Sequence, residues 1–298
     1  MMRRMRTTAG LVASLAACLL LTGCDPPRPD HPVIGAKNFT EQVVLGELLA
    51  QEIEAKSGLK VERRFYLAGS YICQQAMVSG RIDAYVEYTG TALTAILKQP
   101  LDRDSDRVLE TVRQLYDERY RIWVAPPLGF ENTFAMVIRG EDARALHLST
   151  LGEAAQFAPR WRLGVGYEFE QRPDGLPGLS AAYGLHFAAA PRTMDLGLLY
   201  RALGAHQVDM IAANSTDGPI AALGLVALAD DKHYFPPYQA VPLVREESLK
   251  RWPQIQLALN ALAGKITAGD MQAMNEAVDG AHRDPAEVVR EFRQRKGL

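Results

Sequence analysis

The sequence has 298 residues, of which 48% are hydrophobic, 23% are charged and 8% are aromatic, and its formal net charge is −2. A chain of this length can form two domains that each bury a core, and this composition excludes a disordered chain and a polytopic membrane protein. It also has no basic tract of the kind that binds nucleic acid.

The first 24 residues differ in composition from the rest of the chain. Three arginines within the first six residues precede an apolar run, residues 11–21, that is too short to span a bilayer, and small residues lead to Cys24. This pattern resembles a bacterial lipoprotein signal, with residues 1–23 as the signal peptide and Cys24 as the lipidated N-terminus. A plain secretory signal with a chance cysteine is the alternative, and either signal predicts export.

Residues 24–32 contain four prolines and are expected to form a stiff polar tether. Loss of the signal removes three arginines and no acid, which changes the formal net charge from −2 to −5. Cys18 leaves with the signal and Cys24 carries lipid, so Cys73 remains alone. We therefore expect no disulfide in the mature chain.

Strand and helix patterns alternate after the tether. Val33–Gly35 predicts a strand, and the helical pattern behind it has Asn38 and Glu41 as a capping-box-like start and Gly58 as a natural end. Further patterns lie at 61–67 (strand), 70–79 (helix), 81–88 (strand), 91–97 (helix) and 105–116 (helix). This order predicts a mostly parallel sheet with helices on its faces.

The stretch at residues 81–91 combines aromatic, acidic and hydroxyl side chains. Its apolar residues recur at every second position, which predicts a half-buried strand, and Thr89-Gly90-Thr91 predicts a turn after it. A strand end of this kind offers ring faces, hydroxyls and free backbone N–H groups to a ligand. Tyrosines that simply pack into the core are the alternative explanation.

Proline and aromatic residues mark two later segments, at 123–134 and 230–238. Strand and helix patterns between them predict a second α/β unit, and residues 245–298 read as helices that return to the first. We expect the two marked segments to be crossings between two lobes. The predicted lobe 1 comprises residues 33–131 and 236–298, and lobe 2 comprises residues 132–235.

The motifs of common enzyme classes are missing from the sequence. Residues 178–182 lack the last glycine of a nucleophile elbow, Gly164–Gly166 is not followed by the third glycine of a dinucleotide loop, and no two histidines have His-x-x-x-His spacing. We therefore predict a protein that is not an enzyme and needs no cofactor or metal. An enzyme with Glu87 and Asp217 as an acid-base pair is the alternative.

Seven motifs follow one another in an order that carries a family resemblance. Among them are Gly-Ala-Lys-Asn-Phe-Thr-Glu-Gln at 35–42 and Asp-Ala-Tyr-Val-Glu-Tyr-Thr-Gly-Thr at 83–91, and the others lie at 127–134, 172–175, 194–200, 216–218 and 230–238. Together they resemble the substrate-binding proteins of ABC importers for quaternary-ammonium osmoprotectants such as glycine betaine, choline and carnitine, an OpuAC/ProX-like family. The resemblance implies an α/β fold of the two-lobed type II periplasmic-binding-protein kind, with two hinge crossings and a mixed, mostly parallel sheet flanked by helices in each lobe.

The same resemblance implies a cage of aromatic rings for the trimethylammonium group and polar side chains for a carboxylate. A quaternary ammonium has no N–H to donate, so ring faces, worth roughly 0.5 to 2 kcal/mol each, attract it instead. Tyr88 and Tyr238 match cage positions, Lys37 and Thr91 match polar positions, and Arg172 matches the carboxylate clamp. Core packing, surface salt bridges and a helix cap are the structural alternatives for these five residues.

Two positions depart from the family pattern. Phe134, just after the expected ligand-binding residue Asn132, stands where a tyrosine is usual, and Asn214 stands where an aromatic residue is usual. An amide in place of one ring predicts weaker binding of glycine betaine, or a ligand with a hydrogen-bonding group that Asn214 can meet.

The sequence therefore predicts a monomeric, extracytoplasmic lipoprotein that captures a quaternary amine or zwitterion and delivers it to an ABC permease and ATPase. We expect it in the periplasm, anchored to the inner membrane of a Gram-negative cell. Three alternatives remain open: a receptor for a different small zwitterion, such as an amino-acid derivative or a betaine-like thione, an enzyme on the same scaffold, or a sensor domain.

Overall fold

The computed structural model describes residues 29–298, so the predicted signal peptide and Cys24 lie outside the described residues. Ten strands occur in this part of the chain: β1 (Val33–Gly35), β2 (Glu62–Arg64), β3 (Ala84–Tyr88), β4 (Ile122–Val124), β5 (Phe134–Arg139), β6 (Leu163–Val165), β7 (Arg192–Thr193), β8 (Met210–Asn214), β9 (Leu225–Leu228) and β10 (Ala240–Arg245). They form two five-stranded sheets, with strand orders β2-β1-β3-β10-β4 and β7-β6-β8-β5-β9. The predicted pair of α/β units is confirmed.

The α-helices of the described residues are α1 (Thr40–Ser57), α2 (Ser70–Val78), α3 (Thr89–Thr91), α4 (Ser105–Tyr120), α5 (Gly140–Leu146), α6 (Leu151–Ala154), α7 (Tyr167–Gln171), α8 (Leu176–Tyr183), α9 (Leu196–Gly204), α10 (Pro219–Ala222), α11 (Glu246–Arg251), α12 (Gln254–Ala261), α13 (Ala268–Asp279) and α14 (Pro285–Lys296). Helices α12, α13 and α14 pack against α1, so the C-terminal segment returns to the first sheet as expected. No helix within residues 29–298 has both the length and the apolar character needed to span a bilayer.

Each sheet is mixed, with two parallel and two antiparallel pairings. The antiparallel pairings all involve β5 or β10, which are the first strands after the chain changes sheet. Such a strand enters from the other sheet rather than through a helical crossover, so it runs against its neighbours. For this reason parallel pairings do not form the predicted majority.

The chain passes from the first sheet to the second between Val124 and Phe134, and it returns between Leu228 and Ala240. These two passages coincide with the proline-rich and aromatic segments that the sequence marks. The exact lobe boundaries stay a prediction.

Strand β3 is buried on both faces, so the prediction of a half-buried strand is wrong. It lies between β1 and β10, and its alternate side chains enter two hydrophobic clusters, Val86 and Tyr88 beside α1 and Tyr85 beside α4. The predicted turn after it is instead the helical turn α3, which continues as a π-helix at Ala92–Ile96. Tyr88 therefore sits directly at the junction of a central strand and a helix.

Two local patterns were misleading. Strand β2 is shorter than predicted, because Tyr66 and Ala68 have positive φ angles of 64° and 89° that end the extended backbone. Helix α1 begins after Phe39 without a side-chain cap, so the predicted capping box of Asn38 and Glu41 is wrong. The carboxylate of Glu41 is bonded instead to side chains around the cavity described next.

Candidate ligand-binding site

All eight residues that the sequence singles out as ligand-binding line one cavity of about 310 Å³. Segments next to the first sheet contribute Lys37, Tyr88, Thr91 and Tyr238, and segments next to the second sheet contribute Asn132, Phe134, Arg172 and Asn214. This volume is at the small end of the roughly 300 to 1,000 Å³ that ligand sites span. The structure thus brings the eight residues together, while their role in binding stays a prediction.

Phe134, at the start of β5, is the centre of a cluster of rings. Its ring centroid lies 5.8 Å from that of Tyr238 and 4.8 Å from that of Phe169, and both pairs are edge to face. Phe169 also lines the cavity, and sequence reasoning missed it. The available signal was its place in the short helix directly after β6, because the strand-end logic applied at Tyr88 applies there too.

Two buried tyrosines are held by their phenol ends. The hydroxyl of Tyr88 donates to Glu41 Oε1 at 2.5 Å and accepts from Gln42 Nε2 at 3.0 Å, and the hydroxyl of Tyr238 donates to Asp174 Oδ2 at 2.6 Å. Burial, reinforced by the adjacent carboxylates, raises the pKa of both phenols well above the ordinary value. Both phenols therefore stay neutral, and their hydroxyl ends are fixed by these hydrogen bonds.

A glycine permits the position of the Tyr238 ring. A Cβ atom at Gly90 would lie 2.7 Å from Tyr238 Cε1 and 2.8 Å from the carbonyl oxygen of Pro237. Any side chain at this first turn of α3 would displace the ring from the cavity wall.

The two cations of the site are paired with carboxylates of the protein. Arg172 donates from Nε and Nη2 to the two oxygens of Asp174, at 3.0 and 2.5 Å, and Nη2 also donates to Thr91 Oγ1 at 3.0 Å. Although burial raises the pKa of Asp174, the charge of Arg172 holds it below the ordinary value. Lys37 is paired in the same way with Glu87, which is fully buried.

The paired cations also lie over rings of the cavity. The guanidinium carbon of Arg172 is 4.9 Å from the Phe134 centroid, and Nζ of Lys37 is 4.8 Å from the Tyr88 centroid. These distances are typical of cation–π contacts, so the rings already face positive charge. Nη1 of Arg172 has no hydrogen-bond acceptor among residues 29–298, and it lies 3.9 Å from Glu168 Oε2.

Glu41 joins segments that belong to the two sheets. Its Oε1 accepts from Tyr88 and from Asn132 Nδ2 at 2.8 Å, and its Oε2 accepts from Thr216 Oγ1 at 2.5 Å and from Asn275 Nδ2 at 3.3 Å. Burial raises the pKa of this carboxyl, and the four hydrogen bonds act in the opposite direction. The sequence offered no sign of this network, because its members are distant along the chain.

Asn214, at the end of β8, lies directly opposite Phe134 in the antiparallel register, so both side chains point to the same face of the second sheet. Its Nδ2 is 3.4 Å from each carboxylate oxygen of Asp217, which orients Oδ1 away from that residue. No residue in the described part of the chain donates a hydrogen bond to Asn214 Oδ1. The amide therefore offers a free acceptor at the position where the family resemblance leads us to expect a ring.

The alternative acid-base pair is not assembled at this site. Glu87 is bonded to Lys37 and accepts from the Tyr85 hydroxyl at 3.2 Å, whereas Asp217 accepts from the Tyr200 hydroxyl at 2.7 Å and lines a different cavity. Within residues 29–298 no cluster of three or more His, Cys, Asp or Glu side chains is arranged to hold a metal ion.

Two mixed α/β sheets, joined by two passages of the chain and sharing a ring-lined cavity, define a type II periplasmic binding protein in fold. The family described as the substrate binding domain of the ABC-type glycine betaine transport system, OpuAC, matches residues 32–295, and the chain belongs to this family. The role of that family is substrate binding, which confirms the expectation that the chain is not an enzyme.

Individual relatives differ in the solutes that their names contain. The carnitine transport binding protein OpuCC of Listeria monocytogenes is 33% identical over 95% of this chain and 94% of its own length. The ergothioneine transport permease/ergothioneine binding protein EgtU of Helicobacter pylori (strain G27) is also 33% identical over 95% of this chain, which spans about half (51%) of that relative. A crystal structure of a glycine betaine/carnitine/choline ABC transporter is 32% identical, covers 89% of this chain and 98% of its own, and superposes with a TM-score of 0.73.

Proposed function

We propose that the protein is the receptor of an ABC importer and captures a small quaternary-ammonium solute, such as glycine betaine, choline or carnitine. The observation that carries this proposal is the ring cluster of Phe134, Tyr238 and Phe169, with Tyr88 in the same cavity. Ring faces attract a trimethylammonium group without requiring an N–H donor, and the cavity has the volume of a small-solute site.

A carboxylate on the ligand would lie toward Arg172, Lys37 and Thr91. Arg172 is already paired with Asp174, yet the two N–H groups of Nη1 have no acceptor among the described residues, so they remain available to a ligand oxygen. The guanidinium would then be shared between Asp174 and the ligand.

The proposed mechanism is closure of two lobes, residues 33–131 with 236–298 and residues 132–235, about the two passages between sheets. A ligand that contacts both lobes binds the closed state better than the open one and shifts the equilibrium toward closure. The closed receptor would deliver the solute to a permease and an ATPase. A lipid on Cys24 and the tether of residues 24–32 would hold it, as a monomer, outside the cytoplasmic membrane.

A receptor for a different zwitterion is the second candidate. The free acceptor of Asn214 favours it, and one relative carries ergothioneine in its name. In that case glycine betaine would bind weakly or not at all.

Calorimetric titration of the full chain in detergent tests the proposal. The probes are glycine betaine, carnitine, choline, and 3,3-dimethylbutan-1-ol, which has the shape of choline without its charge. We expect at least one quaternary amine to bind and the neutral alcohol not to bind, because the ring faces attract the positive charge of the ligand.

Phe134→Leu and Phe134→Tyr form a matched pair for the same titration. Removal of the ring in Phe134→Leu is expected to weaken binding by roughly 2- to 30-fold, the equivalent of one cation–π contact, whereas Phe134→Tyr keeps the ring and retains binding. Equal affinities of the two variants, or equal binding of choline and the alcohol, would refute the cage.

A further inference from the structure

A second cavity, of about 410 Å³, adjoins the ring-lined one. Asn38, Phe39, Leu196 and Asn214 line both cavities, so they form the boundary between them. An aromatic side chain at position 214, opposite Phe134, would extend across this boundary. The shorter amide of Asn214 does not extend as far.

Two residues that line the second cavity have a buried acceptor without a partner in the described chain. Asn275 is only 1% exposed, and its Nδ2 donates to Glu41 and to the carbonyl oxygen of Thr216, while its Oδ1 has no donor among residues 29–298. Glu276 Oε2 is likewise buried without a partner in the described chain. A buried acceptor without a donor is unfavourable, so a ligand N–H or O–H group that reaches it stabilises the complex by satisfying it.

The carboxyl-rich lining of the second cavity disfavours an acidic occupant. Its lining contains four carboxylates, of Glu41, Asp217, Glu276 and Asp279, against one fixed cation, Arg201, and the imidazole of His282. Burial raises the pKa of Glu41 and of Asp279, and it raises the pKa of Asp217 to about 6. Burial thus disfavours negative charge in this cavity, so a second carboxylate on the ligand would be disfavoured there as well, whereas a neutral or positive donor group would be accepted.

We infer that the second cavity extends the binding site past Asn214 and receives the side chain of an N-trimethylated α-amino acid, a side chain that carries N–H or O–H donors. The trimethylammonium group then lies in the ring cluster, the carboxylate lies toward Arg172, and the donor-bearing side chain passes Asn214 toward Asn275. This inference rests on the proposed function and makes Asn214 the residue that selects the larger ligand over glycine betaine.

Calorimetric titration of the full chain with three betaines tests the inference. Glycine betaine has no side chain, leucine betaine has a bulky side chain without a donor, and histidine betaine has an imidazole N–H. We expect histidine betaine to bind at least 10-fold more tightly than each of the other two. Glycine betaine or leucine betaine binding as tightly as histidine betaine would overturn the inference and leave the proposed function intact. Binding of none of the three would also overturn the inference, and the proposed function would fail with it only if carnitine and choline did not bind either.

Two variants at position 214 distinguish the effect of the open boundary on affinity from the effect of the free acceptor. Asn214→Tyr, which closes the boundary with a ring, is expected to raise glycine betaine affinity and to lower histidine betaine affinity by at least 10-fold. Asn214→Leu, which removes the acceptor without supplying a ring, is expected to lower histidine betaine affinity without the gain for glycine betaine. Thermal unfolding of both variants controls for misfolding, and an unchanged affinity ratio in folded Asn214→Tyr would refute the role of Asn214.

Discussion

Thr216→Val is the sharpest test of the hydrogen bonds that link the segments of the two sheets. The substitution keeps the shape of the side chain and deletes the hydroxyl that donates to Glu41 Oε2 at 2.5 Å. Glu41 would keep three of its four hydrogen-bond donors. Burial already raises the pKa of its carboxyl, so the loss of the Thr216 donor destabilises the charged carboxylate further.

A hydrogen bond to a charged group contributes about 1.5 to 3 kcal/mol. Thr216 follows β8 of the second sheet, whereas Glu41 belongs to α1 beside the first, so the bond can form only when these segments are together. If ligand binding brings the two segments together, loss of this hydrogen bond should weaken the affinity for glycine betaine or choline by 10- to 150-fold. Calorimetry on the full chain measures this change. The thermal unfolding of the ligand-free protein should change much less.

Thr193→Val is the matched control. Thr193 in β7 donates to Glu170 Oε2 at 2.7 Å, so the same substitution deletes the same kind of bond, but both partners belong to the second sheet and its helix α7. This variant should lower thermal stability and leave affinity within about 2-fold of the parent, which is well under 1 kcal/mol. Equal affinity losses in the two variants, or no loss in Thr216→Val, would refute a role for Glu41 in closure.

Three further predictions concern the walls of the two cavities. Gly90→Ala is expected to weaken binding of choline by at least 10-fold in calorimetry, because the new Cβ displaces the Tyr238 ring; unchanged affinity would show that this ring is not part of the cage. Asp174→Asn leaves Arg172 buried without its carboxylate, which lowers the free energy of unfolding by about 3 to 5 kcal/mol. In thermal unfolding, glycine betaine, which has a carboxylate, should restore more of the lost stability than choline, which has none. The pKa of Asp217 is raised from 3.8 to about 6, so ionisation of this carboxyl opposes folding. The stability of the protein relative to Asp217→Asn should therefore be greatest below about pH 4 and should fall as the pH rises to about 6. Unfolding temperatures of the two proteins that change in parallel with pH would contradict this.

The sequence predicted one site for the eight residues that line the first cavity, because they belong to motifs whose order along the chain carries the family resemblance. It could not show how those residues are paired. Asp174 is two residues from Arg172 in the same motif, yet only the folded backbone shows that both of its oxygens accept from the guanidinium. Glu41 was misread as a helix cap, since a local pattern takes no account of the distant donors Thr216 and Asn275.

Strand β3 illustrates the same limit for the fold. Alternation predicted one exposed face, but the strand is central and helices cover both of its sides, so Tyr85 and Glu87 are as buried as Val86. Burial of Glu87 is possible because Lys37, fifty residues earlier, supplies the opposite charge. The burial of β3 is set by its central position in the sheet, which depends on β10 from much later in the chain. This position outweighs the alternating sequence pattern.

The internal pairing of charges also bears on which solute the site prefers. A buried Arg172 without a partner would cost about 3 to 5 kcal/mol, more than a single ring contact of roughly 0.5 to 2 kcal/mol contributes, so Asp174 is needed to hold the empty cavity together. A ligand carboxylate must then share Arg172 with Asp174 instead of neutralising a free charge, which reduces what the carboxylate adds to affinity. The difference in affinity between zwitterions and simple cations is consequently smaller than it would be with an unpaired guanidinium. Discrimination then depends on the remainder of the ligand, at the boundary that Asn214 leaves open.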